Sequence, residues 1–180
     1  MNTNLVEKQT EESAQALAMI NRAKISESQI LNLTIPNLRS LPHAIGDLTR
    51  LIQLDISCSN LIELPPEIGS LSNLKELNLS NNQLSTLPPE IGEIRKLTKL
   101  DVSGNKLTEF PSVVGNLTNL KSLNLSDNQI TDLPDDIGKL SNLKILYVKN
   151  NRLNRLPVEI ESLEELEVLS VSDNNITSCQ

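Results

Sequence analysis

Leucine recurs at positions 51, 74, 97, 120, 143 and 166, an interval of 23 residues that never varies. From each of these the apolar and polar positions follow one template: Leu-x-x-Leu-x-Leu/Val/Ile-x-x-Asn-x-Leu/Ile-x-x-Leu/Phe-Pro-x-x-Ile/Val-x-x-Leu/Ile. The unit that starts at Leu74 shows it in full, with Leu77, Leu79, Asn82, Leu84, Leu87-Pro88, Ile91 and Ile94. An earlier unit begins at Ser28, carrying Leu31, Leu33, Leu38, Leu41-Pro42, Ile45 and Leu48 in register. The last begins at Leu166 and stops midway, at Cys179-Gln180. Residues 28–180 therefore hold six full units and a partial seventh. Inside each unit the alternation of Leu77-Asn78-Leu79 has period two, which predicts a short strand with one face buried. A unit this short cannot bury that face alone, so neighbouring units stack. Stacking sets the strands about 4.8 Å apart and predicts a parallel ribbon of seven.

Other residue types keep the same period. Asn82, Asn105, Asn128, Asn151 and Asn174 sit where the chain leaves each strand, and an amide there is expected to satisfy backbone groups of the turn. The first two units carry Pro36 and Ser59 instead, so the ladder is expected to be weaker at that end. Pro42, Pro65, Pro88, Pro111, Pro134 and Pro157 lack a donor and are expected to end the extended pairing. Gly46, Gly69, Gly92, Gly115 and Gly138 follow the convex Ile or Val, where the expected role is a left-handed backbone closing a short turn. They are isolated and precede no Gly-Lys-Ser/Thr, so they do not form a phosphate loop. Before the repeats, residues 10–25 read as an amphipathic helix with Thr10 as N-cap. Ala14, Leu17, Ile20 and Lys24 lie near one face, broadened by Ala16, Met19 and Ala23. The organisation is thus a leader and capping helix over residues 1–27 and a solenoid over 28–180.

These repeats resemble the leucine-rich repeat family in its 23-residue cytoplasmic class, similar to Ras-suppressor-like and many bacterial repeat proteins. The resemblance covers the whole of residues 28–180. It implies an α/β fold: a curved solenoid with a parallel sheet on the concave face and short helices or turns on the convex face. It implies a non-enzymatic module that binds a protein on its concave face. The expected roles are scaffolding or regulation in signalling, toward a small GTPase, kinase or phosphatase, or a host protein if the chain is a bacterial effector. The alternative is the recognition part of a larger enzyme, such as a Roco-type GTPase or an effector ligase.

Composition narrows the chemistry. With 16 Lys+Arg against 23 Asp+Glu the net charge is −7, which repels phosphate backbones, and aromatics at 1% offer no stacking platform for single strands. No nucleic-acid partner is expected. No apolar run approaches a membrane span, and no signal-peptide core lies among the charges of the first 27 residues. The expected location is cytoplasmic, or secreted by a signal-independent route for an effector. Cys58 and Cys179 lie too many repeats apart to bridge, and no Cys-x-x-Cys or His cluster suggests zinc. No cofactor is expected. Five Asn-x-Ser/Thr sequons, at Asn32, Asn78, Asn116, Asn124 and Asn175, read as by-products of the repeat. Asp55 and Asp101 could in principle share a proton, yet the face is open and no nucleophile adjoins a base, so an enzyme is not expected.

A partner would meet the residues two, four and six places after each starting Leu. The middle column reads Asn32, Asp55, Asn78, Asp101, Asn124, Tyr147 and Ser170, and most of the face is small and polar. The sixth unit departs from this, with Ile145, Tyr147 and Lys149 on one strand and Arg152 and Arg155 in the loop leaving it. Val168 is the seventh-unit neighbour of Ile145. Tyr and Arg in desolvated surroundings are the residues that anchor interfaces. The predicted partner site is therefore Ile145, Tyr147, Lys149, Arg152 and Val168, with Glu76, Lys99, Asp101 and Lys106 as a more polar rim. The convex acids from Glu67 to Glu165 read as a solubilising face. The apolar C-terminal end is either tolerated, paired with another copy, or part of something longer.

Overall fold

The computed structural model describes residues 3–177. The chain opens with helix α1 (Thr3–Ile25). Seven three-residue strands follow: β1 (Ile30–Asn32), β2 (Gln53–Asp55), β3 (Glu76–Asn78), β4 (Lys99–Asp101), β5 (Ser122–Asn124), β6 (Ile145–Tyr147) and β7 (Val168–Ser170). They form one parallel sheet in chain order. Every pairing is offset by 23 residues, as in Leu77 against Leu100 and Leu100 against Leu123. Between strands the chain returns through short 3-10 helices at His43–Asp47, Pro66–Ser70, Pro89–Glu93, Ser112–Asn116, Asp135–Lys139 and Val158–Ser162. The sheet lines one side of the solenoid and these turns the other, as the family resemblance implies.

Leucines of each unit fill the space between. Leu77, Leu79, Leu84, Ile91, Ile94 and Leu97 are at most 1% exposed, and the same columns are closed from the first repeat to the fifth, while Ile160 and Leu166 in the sixth coil's columns are partly buried. The asparagine ladder is present as predicted. Asn105 Oδ1 accepts from the Leu84 N–H at 2.9 Å, while its amide donates to the carbonyls of Leu79 and Val102 at 3.0 Å. Each asparagine thereby ties its own coil to the one before. Ser59 substitutes for it in the second unit: its hydroxyl accepts from the Ile35 N–H at 3.2 Å and faces the Leu33 carbonyl at 3.5 Å. Those contacts are longer and fewer, so the ladder is weaker at its first rung, as expected.

Expectations for the glycines, the prolines and the leading helix are corrected. The repeat glycines do not have left-handed backbones: among the described residues Gly104 is the one glycine with positive φ. At all of them except Gly115 the role is close approach. A Cβ on Gly69 would stand 2.6 Å from the Glu90 carbonyl oxygen, and one on Gly46 would stand 2.8 Å from Glu67 Cβ. The left-handed positions fall instead just past the strands, at Cys58, Asn81, Gly104, Asp127, Asn150 and Asp173. The prolines do not terminate strands. Each precedes a convex turn as its N-cap, with φ from −58° to −75°, the torsion proline is built for.

Helix α1 starts well before Thr10, which lies inside it. The face it buries is Ala16, Ile20 and Ala23, with Met19 half-buried, whereas Ala14, Leu17 and Lys24 are exposed. That face covers the apolar end of the first repeat, and Lys24 pairs with Asp47 of the first convex turn at 2.8 Å. No helix among the described residues is long and apolar enough to cross a membrane. Cys179 lies outside the described residues.

Candidate functional site

On the concave face the backbone explains most of the side chains. In the parallel ladder Ile56 and Cys58 donate their N–H groups to Asn78 and Ser80 of the next coil. Ser57, between them, points its N–H the other way. Asp55 Oδ1 accepts it at 2.9 Å. The same bond recurs from Thr34 to Asn32, Ser80 to Asn78, Ser103 to Asp101 and Ser126 to Asn124, at 2.8 to 3.1 Å. Five consecutive repeats thus use the last strand position to close the strand end. This also accounts for the sequons at Asn32, Asn78 and Asn124, whose side chains are engaged with their own backbone.

The sixth repeat breaks the pattern. Tyr147 has no acceptor to offer the Lys149 N–H, and its ring stands 37% exposed on the concave face. It lies in register between Asn124 and Ser170. Beside it runs the row Lys99, Ser122, Ile145 and Val168, each paired with the next across β4 to β7. Ile145 is half-buried and Val168 is 40% exposed. Ile145 and Tyr147 therefore lie on the same face of β6, with Val168 beside Ile145. Lys149 is exposed and reaches Asp173 at 3.7 Å. Arg152 is exposed and makes no ion pair among the described residues, and Arg155 lies 3.9 Å from Asp132.

The polar rim is placed elsewhere on the sheet. Glu76, Lys99 and Asp101 line a shallow depression of about 320 Å³ over β1 to β4, together with Ile30, Gln53 and Asp55. Asn124 lies in register between Asp101 and Tyr147, so Glu76, Lys99 and Asp101 stand apart from the Tyr147 group. Lys106, exposed in the loop after β4, does not line the depression. Asp101 is engaged: its Oδ1 accepts from the Ser103 N–H and hydroxyl, and its Oδ2 from the Asn124 amide at 3.1 Å. Asp55 and Asp101 are not neighbours. Asn78 lies between them in the register, which sets the carboxylates about two strand spacings, ~10 Å, apart, too far to share a proton. Ile30, 67% exposed at the mouth of the depression, is absent from the predicted set. Its place in the Ile145 and Val168 column was the available signal.

Electrostatic perturbations lie away from this face. The His43 ring hydrogen-bonds Glu67 at 2.8 Å and holds that carboxyl below its ordinary value. Glu167 accepts from Lys144 at 2.7 Å and raises the ammonium above its ordinary range. No group of three His, Cys, Asp or Glu among the described residues could hold a metal. Cys58 is a free, exposed thiol.

A stacked parallel sheet, a buried asparagine ladder and an open polar concavity define a leucine-rich repeat solenoid. Two family models agree: one described as leucine rich repeat matches residues 49–107, and one described as a leucine-rich repeat region matches 113–178. The chain belongs to the leucine-rich repeat family. Among solved structures it is similar to a leucine-rich repeat protein of Leptospira interrogans, at 37% identity and TM-score 0.78, over 79% of this chain and 36% of that one. An internalin, InlF of Listeria monocytogenes, matches at 25% identity and TM-score 0.76, over 88% of this chain and 46% of that one. The functional domain of InlJ from the same organism matches at 26% identity and TM-score 0.71, over 84% of this chain and 32% of that one. The chain thus spans about a third to a half of the length of these proteins. A search of curated proteins returned no match. The fold is that of an interaction scaffold, whose members generally bind proteins.

Proposed function

We propose that the chain is a protein-binding module whose partner seats on the concave face of repeats five to seven, with Ile145, Tyr147 and Val168 as the apolar anchor and Lys149 and Arg152 beside it. The observation that carries this reading is Tyr147. Five repeats keep an Asn or Asp at its position to close the strand end, and the sixth forgoes that bond for an exposed aromatic ring. Aromatic and Arg side chains packed among aliphatic neighbours are the usual anchors of interfaces. Seven strands at about 4.8 Å also give a ribbon long enough for an interface of about 800 Å² per partner.

The likeness to bacterial leucine-rich repeat proteins supports a bacterial interaction protein, and the constant 23-residue register supports membership of the 23-residue class. The free thiol of Cys58 is consistent with action in a reducing, cytoplasmic setting. Scaffolding or regulation through a bound protein, with no chemistry of its own, is the role this reading assigns. The test is affinity capture from a lysate of the source cells, with wild type beside Tyr147→Ala/Arg152→Glu and mass spectrometry of what is retained. A partner held by wild type and lost by the variant supports the site. Equal retention by both moves binding to another surface.

A further inference from the structure

One flank of the solenoid, where the chain enters the strands, carries charge opposite to that of the molecule. Lys75, Thr98, Lys121 and Lys144 form a single column there, chained by backbone bonds from Thr98 to Lys75, Lys121 to Thr98 and Lys144 to Lys121 at 2.8 to 2.9 Å. Lys75 and Lys121 consequently stand two strand spacings apart, about 10 Å. Arg95 and Lys96 lie in the turn that leads into β4, and Lys99 lies in β4 itself. The side chains of Lys75, Arg95, Lys96, Lys99 and Lys121 are exposed. Lys96 donates to the Asn73 side chain at 2.7 Å, which draws it toward the third repeat and Lys75.

What singles out this patch is its pairing. At one end of the flank Arg50 is held by Glu27 at 2.6 Å, and at the other Lys144 is held by Glu167 and Glu165 at 2.7 and 3.9 Å. Between them, Lys75, Arg95, Lys96, Lys99 and Lys121 form no ion pair among the described residues, in a chain of net charge −7. Glu76, Asp55 and Asp101 share the concave depression with Lys99, and Glu93 precedes Arg95 by two residues. None of these acids forms an ion pair with the five cations among the described residues, and Asp101 is already engaged by Ser103 and Asn124. Like charges within about 10 Å repel one another through ordinary salt, and an incoming run of carboxylates would relieve that repulsion. The patch is also continuous with the concave face, since Lys99 leads through Ser122 to Ile145 along one row of the sheet.

We propose that this ridge binds a short acidic segment of a protein, carried by the partner that seats on Ile145, Tyr147 and Val168. The identity of the partner rests on the concave-face reading; the ridge itself does not. Its span of about 10 Å matches three or four extended residues at about 3.3 Å each. A long polyanion fits less well, because Glu165 and Glu167 at one end and Glu27 at the other would repel it. Exposed charges of this kind chiefly steer association and set its salt dependence.

The test uses the full chain and a fluorescein-labelled octaglutamate peptide, read by fluorescence anisotropy. Wild type should bind it, and raising salt from about 20 to about 300 mM should weaken binding roughly tenfold. Lys75→Glu/Lys96→Glu/Lys121→Glu should weaken it by about tenfold or more at low salt. Arg22→Glu/Arg39→Glu/Lys139→Glu makes the same change in net charge away from the ridge and should bind as wild type. Thermal melts by circular dichroism confirm that both variants are folded. Failure of wild type to bind, or equal loss in the two variants, overturns the proposal. So does tighter binding to phosphatidylserine-containing vesicles or to a short single-stranded DNA, which would assign the ridge to a lipid surface or a nucleic acid. Octaglutamate has no apolar side chain to seat on Tyr147, so a failure of the concave anchor leaves this result standing, and the reverse holds too.

Discussion

Asn105 shows how much one side chain does in this molecule. It accepts from Leu84 and donates to carbonyls in two coils while only 8% exposed. Asn105→Ala strands the Leu84 N–H and at least one carbonyl inside the coil, at about 1–3 kcal/mol per unpaired buried group. We expect a total loss of about 3 kcal/mol in urea unfolding. Ser59→Ala should cost about 1 kcal/mol, because the hydroxyl has fewer and longer bonds to lose. Equal losses at the two positions would show that the ladder is not graded along the chain. The asparagines were legible in the sequence through their period. The strand-closing role of Asn32, Asp55, Asn78, Asp101 and Asn124 was not, since a polar residue on a solvated face looks the same whether or not its oxygen meets a backbone N–H.

The convex turns are separated by how closely they pack. A Cβ on Gly69 would press against the Glu90 backbone at 2.6 Å, whereas one on Gly115 meets nothing nearer than 3.7 Å, and neither glycine has a positive φ. Gly69→Ala should therefore force two turns apart and cost about 1–3 kcal/mol. Gly115→Ala fits ordinary contact and, by restricting the unfolded chain, should be neutral or stabilise by about 0.4–1 kcal/mol. Paired thermal melts check this, and a left-handed role for both glycines would instead give two similar losses. The sequence marks both positions identically; the distance between neighbouring turns is what distinguishes them. Helix α1 teaches a related lesson. Thr10 looks like a cap because of the acids that follow, but Glu7, Lys8 and Gln9 are good helix formers, and the helix runs through them.

For the whole molecule, stability resides in contacts between adjacent coils, so damage at one repeat separates the two ends. Leu123, fully buried in β5 between Leu100 and Leu146, is such a point. Leu123→Ala should cost about 2–5 kcal/mol. Hydrogen exchange should then show repeats five to seven opening more readily than the N-terminal repeats, which α1 covers. Uniform opening along the chain would mean that the solenoid behaves as a single cooperative unit. The sequence by itself determined the repeat, the strand register, the inward leucines, the asparagine ladder and the columns that line the concave face, because each follows from a local rule repeated every 23 residues. Tertiary structure alone decided which face of α1 is covered, which of the turns need glycine, that Asp55 and Asp101 stay apart, and which cations are left without acids. Those depend on distances between side chains of different coils, and stacking fixes such distances in three dimensions while a one-dimensional period only states which residues share a column.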